Sequence, residues 1–321
     1  MSTPKISILM STYNETESDI RESVESMLRQ TFTDYEMIVV NDNPKREDVK
    51  AILDSYNDSR IIFYQNPTNI GLAMSMNKAA EIAKADIYAR MDADDIAETT
   101  RLEKEYELLK TGKYDFIFTD YNYIDEKSQL ITEKTEHTLY KPEELSNVLA
   151  RVNVIHHPTV MFTKAIFDKV GGYRNFPCSQ DADLWFRMQE AACRFYMIPE
   201  KLLRYRINTN SVSNKRWYQQ QLTCNYIYDL SIERLESNGK DSYSLEGYNA
   251  YLQKWGCGKP EMEAKLRKAY SYLSKAIKLR TEGKFVEPLL LRIWVFISSP
   301  YMRMHTLNIK RKEKLLKNIE L

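Results

Sequence analysis

Glycine is scarce in this chain: nine in 321 residues, with Gly71 alone in the first 111. A G-x-G-x-x-G dinucleotide turn or a Walker-type loop needs several glycines close together, so that backbone N–H groups can approach phosphate. Neither cradle is available in the first third of the chain. Cysteine is scarce too. Cys178, Cys193, Cys224 and Cys257 have no C-x-x-C spacing and form no dense framework, which fits a reducing compartment better than a secreted scaffold. An excess of one charge is also missing: 46 Lys and Arg face 45 Asp and Glu, and a net charge of +1 gives no reason to expect nucleic-acid binding. The opening Met1-Ser2-Thr3-Pro4-Lys5 runs directly into apolar Ile6–Met10 without the layout of a signal peptide, so the expected location is the cytoplasm.

What is present is a core and a pattern. A hydrophobic content of 43% over 321 residues suffices for one large domain plus an appendage. Apolar runs at Ile6–Met10, Met37–Val40, Ile61–Tyr64, Ile87 and Phe116–Phe118 alternate with stretches of helical period, such as Ile20, Val24, Met27, Leu28 and then Leu72, Met76, Ala79, Ala83. That β-α-β-α order predicts a mainly parallel sheet covered on both faces. Polar clusters follow the strands: Ser11-Thr12-Tyr13-Asn14-Glu15, Asn41-Asp42-Asn43-Pro44 and Asp92-Ala93-Asp94-Asp95. Open α/β sheets bind ligands at the carboxyl ends of their strands, so the three clusters are expected to share one cleft. Without a glycine cradle, a bound diphosphate needs a divalent cation, Mn²⁺ or Mg²⁺, on Asp92 and Asp94. The bland alternative makes Asp95 a cap for the helix carrying Leu102, Tyr106 and Leu109.

Beyond Asp125 the pattern loosens. Lys141-Pro142 predicts a helix start, His156-His157-Pro158 a turn before a strand, and Gly171-Gly172-Tyr173 a helix end. His157 is a candidate further metal contact, since imidazole is a common ligand. Helical spacing in Asp181–Met188 puts Leu184, Trp185 and Met188 on an inner face, with Asp181 one turn earlier and able to face the cleft. Arg204-Tyr205-Arg206 precedes a polar stretch, Ile207–Ser213, that reads as a loop whose arginine, Arg206, would clamp phosphate on closure. From Trp217 the chain reads as mostly helical, with a break at Ser237-Asn238-Gly239, giving domains of 1–215 and 216–321. The apolar run Phe285–Ile297, followed by Arg303, Lys310, Arg311, Lys312, Lys314 and Lys317, is too short and interrupted for a span of about 20 residues. It fits an in-plane anchor over 285–317 on anionic lipid, or a helix buried against the rest of the protein.

In combination these segments resemble the family 2 glycosyltransferases, inverting enzymes with a GT-A fold and nucleotide-sugar donors. The resemblance runs from about Ile6 to Ser213 and is carried by Ser7–Glu15, Ile38–Asp42, Asn69-Ile70-Gly71-Leu72 with Asn77, Met91–Asp95, His157–Met161, Val170–Tyr173, Gln180–Trp185 and Tyr205-Arg206. It implies a Rossmann-like nucleotide-sugar-binding domain with a C-terminal helical region. It further implies that Thr12, Tyr13, Glu15 and Asp42 hold the base, usually uracil, with Asn77 also on the donor side. Asp92 and Asp94, a DXD motif, would serve ribose and metal. Two departures stand out. Gln180 replaces the family's Glu before Asp181, removing a like charge that would raise Asp181. Asn41-Asp42-Asn43-Pro44 stands where Asp-Asp-Gly-Ser is common, with Asp42 kept. Asp181 is the expected general base, taking the proton of an acceptor hydroxyl. Ser213-Asn214-Lys215-Arg216-Trp217 resembles the Q-x-x-R-W element of processive synthases with Ser for Gln, so single-sugar addition is expected. The expected acceptor is a sugar, a lipid-linked sugar or a polysaccharide precursor of O-antigen or capsule type, at the inner face of the cytoplasmic membrane. A binding protein that lost catalysis and a sugar nucleotidyltransferase are the competing classes; the latter would need a glycine-rich, basic loop after the first strand, where Thr12–Thr16 stands.

Overall fold

A computed structural model of the chain describes residues 3–131, 138–207 and 216–316. The polar stretch at 208–213, Ser213–Lys215 and the basic Lys317 lie outside the described residues. The chain forms two compact units, Met1–Ser211 and Val212–Leu321.

The first unit is built on strands β1 (Ile6–Thr12), β2 (Tyr35–Asn41), β3 (Ile61–Gln65), β4 (Ile87–Asp92), β5 (Ile96–Ala97), β6 (Phe116–Ile124), β7 (Val160–Thr163) and β8 (Phe195–Arg206). Its helices are α1 (Glu17–Leu28), α2 (Asp48–Asp54), α3 (Leu72–Ile82), α4 (Arg101–Leu109), α5 (Pro142–Leu149), α6 (Lys164–Lys169) and α7 (Gln180–Glu190). All eight strands join one sheet in the order β3-β2-β1-β4-β7-β6-β8-β5. β3-β2-β1-β4 is parallel throughout, and β7 enters antiparallel to both β4 and β6.

The two-residue period of a strand sorts its side chains between two cores. Ile8, Met10, Met37 and Val39 face one layer with Ile20, Val24 and Met27 of α1 and Leu102 of α4. Leu9, Ile38 and Val40 face the other with Met76 and Ala79 of α3 and Leu184, Trp185 and Met188 of α7. Both faces are covered, which is why β1 and β2 read as continuous apolar runs rather than alternating ones. Each such Val, Leu, Ile or Met side chain contributes about 1.5–3 kcal/mol of burial. Local signals agree with this: Thr16 and Asp19 form a reciprocal capping box at the start of α1, so that helix begins directly after the first polar cluster.

The second unit contains α8 (Trp217–Glu236), α9 (Leu245–Lys254), α10 (Pro260–Thr281), α11 (Val286–Ser298) and α12 (Pro300–Leu316). The expected break at Ser237 is the end of α8. α11 packs on α10, yet only Pro288 and Val295 of α11 are buried. Phe285, Val286, Leu289, Leu290, Ile293, Trp294 and Ile297 are exposed. Among the described residues no helix is long and apolar enough to cross a membrane.

Candidate active site

Strand register assembles the site. Thr12 at the end of β1 lies opposite Asn41 at the end of β2, Asn41 lies opposite Gln65 on β3, and Ser11 lies opposite Asp92 on β4. The segments following Thr12, Asn41 and Asp92 therefore leave one edge of the sheet side by side, as the sequence suggested. Cross-links fix them there. Asn43 donates from Nδ2 to the Tyr13 carbonyl (3.0 Å) and to Asn14 Oδ1 (3.0 Å), Arg46 donates to the Glu15 carbonyl (2.8 Å), and Ser23 of α1 donates to the Asp92 carbonyl (2.8 Å). The Tyr13 ring is 44% exposed, which leaves a face for a planar ligand. Thr12 is buried with its hydroxyl on Asn41 Oδ1 (3.3 Å).

Three expected ligand residues already have partners within the protein. Asp42 is buried and its carboxylate accepts from Asn66 Nδ2 (2.8 Å), Ile70 N–H (2.9 Å) and Gly71 N–H (2.9 Å), which pins the start of α3. Asn77 uses both ends of its amide on Tyr173, accepting from its N–H (2.9 Å) and donating to its carbonyl (2.9 Å). A Cβ at Gly172 (φ +67°) would come within 2.8 Å of Asn77 Oδ1, so that turn needs glycine. Arg206 corrects the expectation of a phosphate clamp: it is buried, and its guanidinium donates to the Asp94 carbonyl (2.7 Å), the Asp125 carbonyl (3.1 Å), Ser128 (3.0 Å) and Glu22 (2.6 Å). It braces the turn after β4 against α1. Asp95 does not cap a helix either. Its carboxylate accepts from the Arg206 N–H (2.8 Å), β5 intervenes, and the N-cap of α4 is Thr100.

The turn after β4 is charge-rich. Arg90, buried within β4, holds the Asp92 carboxylate and the Met91 carbonyl. Burial raises the Asp94 carboxyl to about 7, with Asp92 and Glu15 adding to the shift. Burial likewise raises Glu15, and raises Asp95 well above the usual range; one oxygen of Asp95 is buried without a partner among the described residues. These carboxylates are oxygen donors, a donor set that fits a hard divalent cation. Among the described residues no three His, Cys, Asp or Glu side chains gather into a metal-holding group. Such ions are commonly held by one or two carboxylates plus substrate phosphates, so Asp92 and Asp94 remain a sufficient protein share. His157 is not brought into that cluster: its Nε2 meets the Tyr173 hydroxyl (2.7 Å), and burial, with the Arg90 charge, holds its pKa well below normal.

Asp181 sits in the first turn of α7 and is not its cap, which is Ser179. Its Oδ2 accepts from Asn153 Nδ2 (3.0 Å). Burial raises its pKa even with the neutral Gln180 beside it, backbone N–H groups and Asn153 oppose the rise, and the Asp92 charge adds to it. The Asp92 charge of the β4 turn therefore reaches Asp181. Arg187 of α7 fixes the geometry by donating to the carbonyls of Val170 (2.5 Å) and Gly172 (2.8 Å), beside Tyr173. Arg90, Asn153 and Arg187 were missed as site residues. Arg90 carried a readable signal, a lone cation inside an otherwise apolar strand, which is a costly burial unless it is paired.

The fold has a known counterpart. The chain superimposes on S. aureus TarS, solved as residues 1–349 in complex with UDP-GlcNAc, with a TM-score of 0.61 at 14% identity, covering 98% of this chain and 91% of that one. The shared architecture is the GT-A glycosyltransferase fold. A family model described as glycosyl transferase family 2 matches residues 7–171. An uncharacterized glycosyltransferase of Methanocaldococcus jannaschii is 36% identical over 230 residues, 70% of this chain and 79% of that protein. The O-antigen biosynthesis glycosyltransferase WbnJ of Escherichia coli is 32% identical over 196 residues, 59% of this chain and 74% of its own length. The chain belongs to glycosyl transferase family 2 and is a glycosyltransferase.

Proposed function

We propose that the enzyme transfers one sugar, with inversion, from a UDP-sugar to an acceptor hydroxyl in the synthesis of a surface polysaccharide. The observation that carries the reading is a set of carboxylates after β4 suited to a diphosphate-bound cation, together with Asp181, whose carboxylate accepts from Asn153 and pairs with no cation among the described residues. The name of WbnJ supports the polysaccharide context, and the exposed Tyr13 ring beside Glu15 and Asp42 supports a base on that side. In the reaction the acceptor oxygen forms a bond to the anomeric carbon from the face opposite the diphosphate. The bond from that carbon to the leaving oxygen breaks, and the hydroxyl proton passes to Asp181. A raised Asp181 pKa suits it to take that proton. Mn²⁺ or Mg²⁺ held by Asp92 and Asp94 would supply Lewis-acid charge for the departing diphosphate.

Titration calorimetry with UDP, with and without Mn²⁺, tests the donor side. Cation-dependent binding that Asp94→Asn abolishes is expected, and binding indifferent to both would remove the metal role. The exposed apolar face of α11, followed by Arg303 and Arg311, supports peripheral attachment to anionic lipid. Replacing Leu289, Leu290 and Ile293 by Ser should release the protein from phosphatidylglycerol vesicles in co-sedimentation. Equal sedimentation of the variant would reject attachment through this face.

A further inference from the structure

A diphosphate at the turn after β4 needs hydrogen-bond donors as well as a cation, and the two arginines that hold this turn are already engaged. Arg90 donates to the Asp92 carboxylate and the Met91 carbonyl, and Arg206 to the Asp94 and Asp125 carbonyls, Ser128 and Glu22. The residue before Arg206 is different. Tyr205 is half-buried, and its hydroxyl makes no hydrogen bond among the described residues. Three observations place that hydroxyl. First, β5 and β8 pair antiparallel, Ala97 with Leu203 and Ile96 with Arg204, so the next step along both strands brings Asp95 to Tyr205, and the adjacent Arg206 N–H closes on Asp95 Oδ1 (2.8 Å). Second, the Tyr205 ring is packed edge-on by Tyr123 (centroids 6.0 Å apart, 82°), Tyr121 (6.0 Å, 64°) and His156 (5.3 Å, 77°), an arrangement that fixes its orientation. These three neighbours bind one another, since the Tyr121 hydroxyl meets the Tyr123 hydroxyl (3.1 Å) and His156 Nε2, and the Tyr205 hydroxyl stays outside that chain. Third, burial and then the charges of Asp95, Asp92 and Asp94 raise the Tyr205 pKa, so all three carboxylates of the turn reach this hydroxyl and it keeps its proton.

We propose that the Tyr205 hydroxyl donates a hydrogen bond to a diphosphate oxygen of the nucleotide-sugar, the role expected of Arg206 and closed to it by its own partners. This rests on the glycosyl-transfer reading above. A phenol is a donor that stays neutral, and a neutral donor suits this position. A further guanidinium among Asp92, Asp94 and Asp95 would pair with a carboxylate, as Arg90 does with Asp92, and would compete with a cation for it. A protonated Tyr205 leaves those carboxylates free and still offers its proton to a charged oxygen. Because the ring is already oriented by its aromatic neighbours, little side-chain freedom is lost when the ligand arrives.

Tyr205→Phe keeps the ring among its edge-on neighbours and removes only the hydroxyl. In calorimetry with Mn²⁺ the variant should bind UDP roughly ten- to a hundredfold more weakly than the wild type, the loss expected for one hydrogen bond to a charged oxygen. Two NMR readouts at saturating UDP and Mg²⁺ locate that loss. Saturation transfer to the uracil ring protons should persist in the variant, since the base is held elsewhere, while the phosphorus shifts of bound UDP should differ between the two proteins. UDP affinity within about twofold of the wild type overturns the proposal, as do identical phosphorus shifts. Loss of saturation transfer to uracil would mean that the substitution acts on the base or on the fold, and overturns it too. A wild type that binds no UDP would instead count against the donor reading, and this inference would fall with it.

Discussion

The turn after β2 and the turn after β4 look alike in sequence, each a short acidic cluster at the end of an apolar strand, and the structure makes them opposites. Asp42 after β2 receives three N–H donors and serves as a fastener between the second polar segment and α3. Asp94 after β4 is shifted to about 7 because burial and the neighbouring carboxylates of Asp92, Glu15 and Asp19 disfavour its charge. One cluster stabilises the fold; the other is held under electrostatic strain by its surroundings. Strain of that kind concentrates where a ligand supplies the missing charge, which is why the β4 turn is the one we propose as functional. Asp181 belongs with Asp94 in this respect, since burial outweighs its hydrogen bonds.

The largest effect that would sharpen this contrast is on turnover. Asp181→Asn keeps the hydrogen bond from Asn153 possible on its remaining oxygen but cannot take a proton. It should lower kcat by roughly 10²–10⁴ while leaving UDP binding by calorimetry intact. Transfer near the wild-type rate would hand the base role to another group. In the wild type, kcat/KM should fall as pH drops through the raised pKa of Asp181, and the acid limb should vanish with that carboxylate. Next in size is the fastener. Asp42→Ala leaves the Ile70 and Gly71 N–H groups without their acceptor and should destabilise the first unit by about 2–3 kcal/mol in urea unfolding. An unchanged midpoint would show that water replaces the carboxylate at no cost and would dissolve the contrast drawn here.

The sequence revealed type and order more readily than task. The order of β1 to β4, the 3.6-residue period of α7 with Leu184, Trp185 and Met188 inside, and the convergence of three polar segments were legible because each is local, or follows from parallel topology. Arg206 was not. A basic residue before a polar loop reads as a phosphate clamp, and only the three-dimensional closeness of Glu22, the Asp94 carbonyl and Ser128, from three distant segments, shows its donors already engaged. Asn77 and Tyr173 are 96 residues apart, so their double hydrogen bond left no pattern to read. Asn153 escaped for the same reason, since its meaning lies wholly in reaching Asp181. His157 was a fair candidate ligand by residue type, but its position against the Tyr173 hydroxyl is set by the packing of two turns that propensity does not resolve.

A further effect most directly separates the two acidic turns, because it is read in stability without any substrate. Folded Asp94 keeps its proton up to about pH 7, whereas an unfolded Asp releases it near pH 3.9. Between those values the folded state binds the extra proton, so this group's contribution to stability is full below about pH 4 and is lost as pH rises through 7. Asp94→Asn should therefore flatten the fall in Tm across that window and raise Tm at pH 8, at about 2–4 °C for each kcal/mol gained. Millimolar Mn²⁺ should raise the wild-type Tm at pH 8 and leave that of the variant unmoved. Glu105, also raised to about 7 by burial against Arg101, contributes a slope of the same sign that neither the substitution nor the cation touches, and serves as the internal reference. A variant with the same slope as the wild type would mean that Asp94 is as well satisfied as Asp42, and the contrast between the two turns would fail at its root.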